Sequence, residues 1–142
     1  MYKRVAAALM AASIIFGFQA QSLAGGLTAH VDVSSQTMTV SNYGQTYVWK
    51  VSTAGRGYST PRGTFRPQRL ARMHYSRKYN NSPMPYSVFF RGGYAIHGTD
   101  AVKRLGSPAS HGCVRLHPKN AAALYSMIRQ AGSKNTRIII TQ

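Results

Sequence analysis

The chain contains no glutamate, two aspartates (Asp32 and Asp100), one cysteine (Cys113) and one tryptophan. A single cysteine excludes an internal disulfide, so the thiol of an exported protein either pairs with another molecule or reacts. The scarcity of acids leaves a formal net charge of +16. A field that positive attracts polyanions: nucleic acid, anionic lipid surfaces or acidic wall peptides. Long apolar runs are also missing. The only substantial one, residues 5–18, follows the basic start Tyr2-Lys3-Arg4 and is interrupted by Ser13. About 14 residues is short for a bilayer span. Ser22-Leu23-Ala24 places small residues where a signal peptidase reads them, so residues 1–24 are expected to be a cleaved signal peptide, the alternative being a retained anchor. The mature chain, 25–142, then carries +14, because Lys3 and Arg4 are lost. Export disfavours nucleic acid as the polyanion, and no stable membrane span is expected after cleavage.

Internal repeats and a linker are lacking too, which points to one domain large enough for a proper core. Ala29, Val31 and Val33 alternate with polar residues, as do Met38 and Val40, then Tyr47, Trp49 and Val51, and these read as three half-buried strands. Val88–Arg91 and Tyr94–His97 flank Gly92-Gly93, a hairpin signal in which both glycines can take positive φ. Pro118 opens a helix with Ala121, Leu124, Tyr125, Ile128 and Ala131 on one face, and Gly132 closes it. Residues 137–141 form a last apolar strand. The stretch from Arg62 to Lys78 holds six basic residues and no acid, lacks a clean period, and reads as a long basic loop or flap. The expected fold is mostly β, a compact β-sandwich-like domain with one main helix.

The informative segment is Ile96-His97-Gly98-Thr99, followed after residues 100–109 by Ser110-His111-Gly112-Cys113-Val114-Arg115-Leu116. A thiol is a poor nucleophile near neutral pH, and a nearby imidazole can make it a thiolate. Two histidines qualify. His111 shares a face with Cys113 only if the segment is a strand, whereas His97 ends a neighbouring strand and can approach the sulfur side-on. Gly112 permits a sharp bend whose amides can hold an oxyanion. Arg115 can grip a substrate carboxylate. The bland alternatives are a buried structural Cys113, a core His97, a structural His111, a surface Arg115 and a merely solvated flap. His30, His74 and His117 read as surface or helix-start residues. A zinc site built from His97, His111, Cys113 and His117 would need an unfamiliar His-x-Cys-x3-His spacing, with no acid nearby as base, so no metal is expected. Tyrosine interleaved with arginine in the flap could stack on nucleic acid bases, a reading that the leader disfavours.

IHGT…GSPASHGCVRL resembles the signature of the L,D-transpeptidase catalytic domain, or YkuD domain, family. Val31–Gln36, Val51–Gly55, Thr60–Phe65 and Met84-Pro85-Tyr86 resemble further family segments in the same order, so the likeness covers essentially the whole mature chain. It implies that Cys113 is the nucleophile and His97 the general base, oriented by the carbonyl of Gly98. The amides of His111, Gly112 and Cys113 would form the oxyanion hole. Ser110 would shape the site and meet substrate with Arg115. It also implies acyl transfer from a peptidoglycan tetrapeptide stem, with release of D-alanine and no cofactor, in the periplasm or cell envelope. The acceptor could be a second stem, an outer-membrane protein lysine, a free D-amino acid or water, the last giving a carboxypeptidase. A non-catalytic basic wall-binding module is the competing class. Charge generates a first prediction. Exposed charges are screened within about 8 Å at physiological ionic strength. Binding to isolated wall sacculi, followed by co-sedimentation, should therefore weaken steeply as salt rises, and salt-independent binding would contradict it.

Overall fold

A computed structural model describes residues 26–142; the expected signal peptide lies outside the described residues. Among the described residues nine strands run in one mixed sheet of order β4-β9-β1-β2-β3-β8-β7-β6-β5. They are β1 (Leu27–Asp32), β2 (Thr37–Asn42), β3 (Gln45–Ser52), β4 (Gly63–Phe65), β5 (Arg69–Ser76), β6 (Ser82–Arg91), β7 (Tyr94–Gly98), β8 (Val114–Leu116) and β9 (Thr136–Thr141). One α-helix, α1 (Pro118–Ala131), packs on β6 and β7. No helix among the described residues is long and apolar enough to cross a membrane.

Alternation builds the first half of this sheet. In β1 and β2, Leu27, Ala29, Val31, Met38 and Val40 are fully buried while their neighbours face outward. The two strands pair antiparallel from Leu27↔Asn42 to Asp32↔Thr37. β9 lies parallel on the other side of β1, in register Leu27↔Thr136, and inserts Ile138 and Ile140 into the same core. β3 joins the halves: residues 45–50 pair with β2, but Val51 and Ser52 pair with β8. The expected sandwich-like domain is built from one continuous sheet curled over the main core. Phe65 on the edge strand β4 meets Phe90 on β6 with ring centroids 5.2 Å apart, so strands remote in the sheet order close on each other.

Helix α1 seals this core with Ala121, Leu124 and Ile128. Pro118 fits the first turn, the His117 ring accepts from the Lys119 amide at 3.1 Å, and Gly132 at φ 84° ends the helix with its N–H on Ile128. Two expectations change. The basic stretch is not a loop: β4 and β5 occupy much of it, and β5 pairs with β6 in a long hairpin. Its pattern was obscured because β5 has no fully buried residue, so neither side of the strand imposes an apolar alternation. At the 92–93 turn only Gly92 takes positive φ, at 52°. Phe90 is 1% exposed and belongs to the closing contact. Phe90→Ala should cost about 3–5 kcal/mol in denaturant unfolding, whereas a loss below about 1 kcal/mol would show that the Phe65–Phe90 closure carries little stability.

Candidate active site

The parallel pair β7–β8 sets the geometry. Its register is Ile96↔Val114, His97↔Arg115 and Gly98↔Leu116, and Thr99 extends it by donating its N–H to the Leu116 carbonyl at 2.9 Å. Side chains alternate along strands, so Ala95, His97 and Arg115 share one face, and Cys113 enters β8 on that same side. Cys113, His97, Arg115, Ser110 and His111 line a single cleft of about 900 Å³, together with residues of the β5–β6 hairpin.

His97 is buried, and its Nδ1–H donates to the Gly98 carbonyl at 2.7 Å. A carbonyl only accepts, so the proton resides on Nδ1 and Nε2 keeps its lone pair. Gly98 itself has little room for a side chain, since a Cβ would sit 3.1 Å from Pro85 and 3.2 Å from Pro118, tight enough that a neighbour would have to shift by a few tenths of an ångström. Burial pushes the His97 pKa down from 6.5 to about 4; the Gly98 bond opposes this, and the positive charges of Arg115 and His74 add to it. Burial also pushes the Cys113 thiol above its ordinary value, against the Ala95 amide and Arg115, which stabilise the thiolate. The Cys113 S–H points to the Gly93 carbonyl at 3.9 Å. Both burial effects favour the neutral forms, thiol and imidazole, over the thiolate expected from the sequence.

The turn before Cys113 is built by Ser110. Its backbone is held by Thr53 and Gly55, its Oγ donates to the Cys113 carbonyl at 2.6 Å, and it accepts from the Gly112 N–H at 3.0 Å. The hydroxyl expected to meet substrate is therefore spent within the turn, which makes Ser110 a positioning residue. Gly112, at φ 132°, lies where L side chains are strained, and a Cβ would approach Tyr94 Cε1 to 2.5 Å and the Ser59 carbonyl to 3.0 Å. The segment 111–113 is a bend, so the condition under which His111 would share a strand face with Cys113 is not met. His111 instead lies between Tyr79, stacked at 4.1 Å, and Tyr58, tilted at 4.5 Å.

Sequence reasoning missed Tyr58, Tyr79 and Tyr94, whose spacing carried no signal. It also misplaced His74, which lines the cleft edge-on to Phe89. Among the flap cations, Arg69, Arg77 and Lys78 reach the cleft, and Arg69 caps the Phe89 ring at 3.9 Å. Arg62 bonds Gln142, and Arg66 bonds the carbonyls of Lys134 and Thr136, so both tie the β4 region to the C-terminal strand. Among the described residues, no three His, Cys, Asp or Glu side chains are grouped as metal ligands would be.

A thiol at the entry to one strand and an oriented imidazole on the neighbouring strand of a curled, mostly β domain define the class of protein. The chain belongs to the L,D-transpeptidase catalytic domain (YkuD) family, whose model matches residues 27–140. No curated protein matches the chain. Among solved structures, an L,D-transpeptidase from Mycobacterium smegmatis is 26% identical with a TM-score of 0.72, covering 82% of this chain and 59% of that one. An L,D-transpeptidase from Stackebrandtia nassauensis is 28% identical with a TM-score of 0.71, covering 84% and 57%. An LD transpeptidase in complex with imipenem is 26% identical with a TM-score of 0.69, covering 82% and 59%. The chain thus spans under two thirds of the length of each of these structures.

The depressed His97 pKa has a stability consequence. Between pH 6.5 and 4 the unfolded chain binds a proton that folded His97 refuses, so acidification across that window destabilises the fold by up to about 3 kcal/mol. Asp32, held below 3.8 chiefly by its Ser34 hydrogen bond, acts only at lower pH. Denaturant unfolding of His97→Gln should show a markedly flatter stability profile over that window; a slope equal to the parent's would place the effect elsewhere.

Proposed function

We propose that the protein is an exported peptidoglycan L,D-transpeptidase acting through Cys113. The observation that carries this reading is the β7–β8 register, which brings a buried imidazole with its proton fixed on Nδ1 into one cleft with the chain's single thiol. In the donor half, Sγ attacks the carbonyl at the L-centre of the diamino acid in a tetrapeptide stem. The C–S bond forms as Nε2 of His97 takes the thiol proton. Because both groups rest neutral, proton transfer accompanies attack instead of preceding it. The oxyanion is held by turn amides. Ser110 Oγ already occupies the Gly112 N–H, so His111 and Cys113 are the donors. Collapse breaks the C–N bond, and His97 returns its proton to the departing D-alanine amine.

In the second half an amine attacks the thioester, restoring the thiol and leaving an amide. With a second stem as acceptor the product is a 3→3 cross-link; a lysine of an outer-membrane protein or a D-amino acid fits the same chemistry, and water in their place would leave a carboxylic acid, the carboxypeptidase outcome. Arg115 pairs with His97 across β7 and β8, which supports a role for its guanidinium in holding a stem carboxylate. Export rests on the residue 1–24 pattern, and the cell envelope is where such stems occur. Likeness to the imipenem-bound transpeptidase supports acylation of Cys113 by carbapenems as well.

Incubation with tetrapeptide muropeptides tests the reading, with D-alanine release as the readout and product mass identifying the acceptor. Cys113→Ala should lower release at least about a thousandfold while leaving the unfolding midpoint nearly unchanged. Release by the variant at the parent rate would remove the cysteine from the mechanism, whereas no release by the parent would leave the non-catalytic wall-binding module as the better account.

A further inference from the structure

We propose that Asp100 selects the acceptor: its carboxylate receives the protonated amine of the nucleophile that resolves the Cys113 thioester. The inference rests on the transpeptidase reading and adds the recognition element for the second substrate.

The chain has two side-chain carboxylates, Asp32 and Asp100. Asp32 is consumed locally, where Oδ1 accepts from the Ser34 N–H at 2.9 Å, the Ser34 hydroxyl at 2.6 Å and the Ser35 N–H at 3.3 Å. Asp100 has no such task. It follows the active-site strand β7, and its backbone is pinned on both sides: Thr99 N–H donates to Leu116, Ala101 N–H to Thr99 Oγ1 at 3.1 Å, and Val102 N–H to the Asp100 carbonyl at 2.8 Å. These bonds hold an exposed side chain on the wall of the cleft that contains Cys113 and His97. No hydrogen bond or ion pair within the described residues engages its carboxylate. In a chain with eighteen lysines and arginines, an unpaired carboxylate at this position is conspicuous.

Two substrates of opposite character must enter this cleft. Arg69, Arg77, Lys78 and Arg115 line it and favour the carboxylates of the donor stem. The same cations repel an approaching ammonium group. One fixed carboxylate supplies the local attraction that the acceptor needs. The step balances as thioester plus ammonium giving amide, thiol and one proton. The ammonium held by Asp100 first loses a proton to solvent. The neutral amine then attacks, the C–N bond forms and the C–S bond breaks, and His97 carries the remaining nitrogen proton to the sulfur. Asp100 is on this account a specificity residue for cationic nucleophiles.

The test makes the acyl-enzyme from one tetrapeptide donor and offers two nucleophiles in competition. One is Nα-acetyl-lysine amide, cationic at neutral pH; the other is hydroxylamine, uncharged there. Products are quantified by mass. In Asp100→Asn the preference for the lysine amine over hydroxylamine should fall at least tenfold, with a raised KM for the lysine acceptor, and Asp100→Glu should restore most of it. A preference within twofold of the parent's would overturn the role of Asp100. D-alanine release without any amide product from either nucleophile would also overturn it while leaving a cysteine carboxypeptidase. Absence of D-alanine release from the parent itself would instead remove the transpeptidase reading, and this inference with it.

Discussion

The structure depends most on the parallel pairing of β7 with β8. Three residues of register place His97 beside Arg115 and put Cys113 at the mouth of β8, on the same side of the sheet. A slip by one residue would send every side chain of β8 to the opposite face. The register is held from both faces, because Ile96, Val114 and Leu116 are buried in the main core while Ala95 packs on the other side with Met84 and Phe89, against Cys113. The hydrophobic core and the candidate active site are therefore set by the same few residues.

Burial gives the pair its chemical character. A desolvated imidazole resists its proton and a desolvated thiol keeps its own, so neither carries charge at rest. The Gly98 carbonyl adds direction by fixing which ring nitrogen is protonated. Around this neutral pair the cleft is strongly cationic, the consequence of a sequence almost without acids. The turn that presents Cys113 is equally constrained: Ser110 closes it from within, while Tyr94 and Ser59 leave space only for glycine at 112.

Much of this was legible in the sequence where one physical rule dominates. Strict alternation located β1, β2 and β3, and the Pro118 and Gly132 signals bounded α1 within a residue. The block from Ser110 to Leu116, with His97 upstream, marked residues that the fold brings into one cleft, because few other tasks require a histidine, a glycine and a lone cysteine in that order. The β5 hairpin was read as a loop because its exposed position demands no alternation. Ser110 was assigned to substrate since a hydroxyl next to a nucleophile gives no hint of whether the turn has already used it. The clasp of Tyr58 and Tyr79 on His111 joins three segments distant in the chain, which no local pattern reveals.

The central claim is that the donor peptide passes through a covalent bond to Cys113. Acid quenching early in the reaction with a tetrapeptide, followed by intact-mass measurement and peptide mapping, tests it directly. The expected result is a protein mass increased by that of the tetrapeptide minus that of D-alanine, one thioester-linked tripeptide acyl group, with the adduct on the peptide containing Cys113. D-alanine release at the full rate with no adduct at any quench time, or an adduct mapping to another residue, would contradict it.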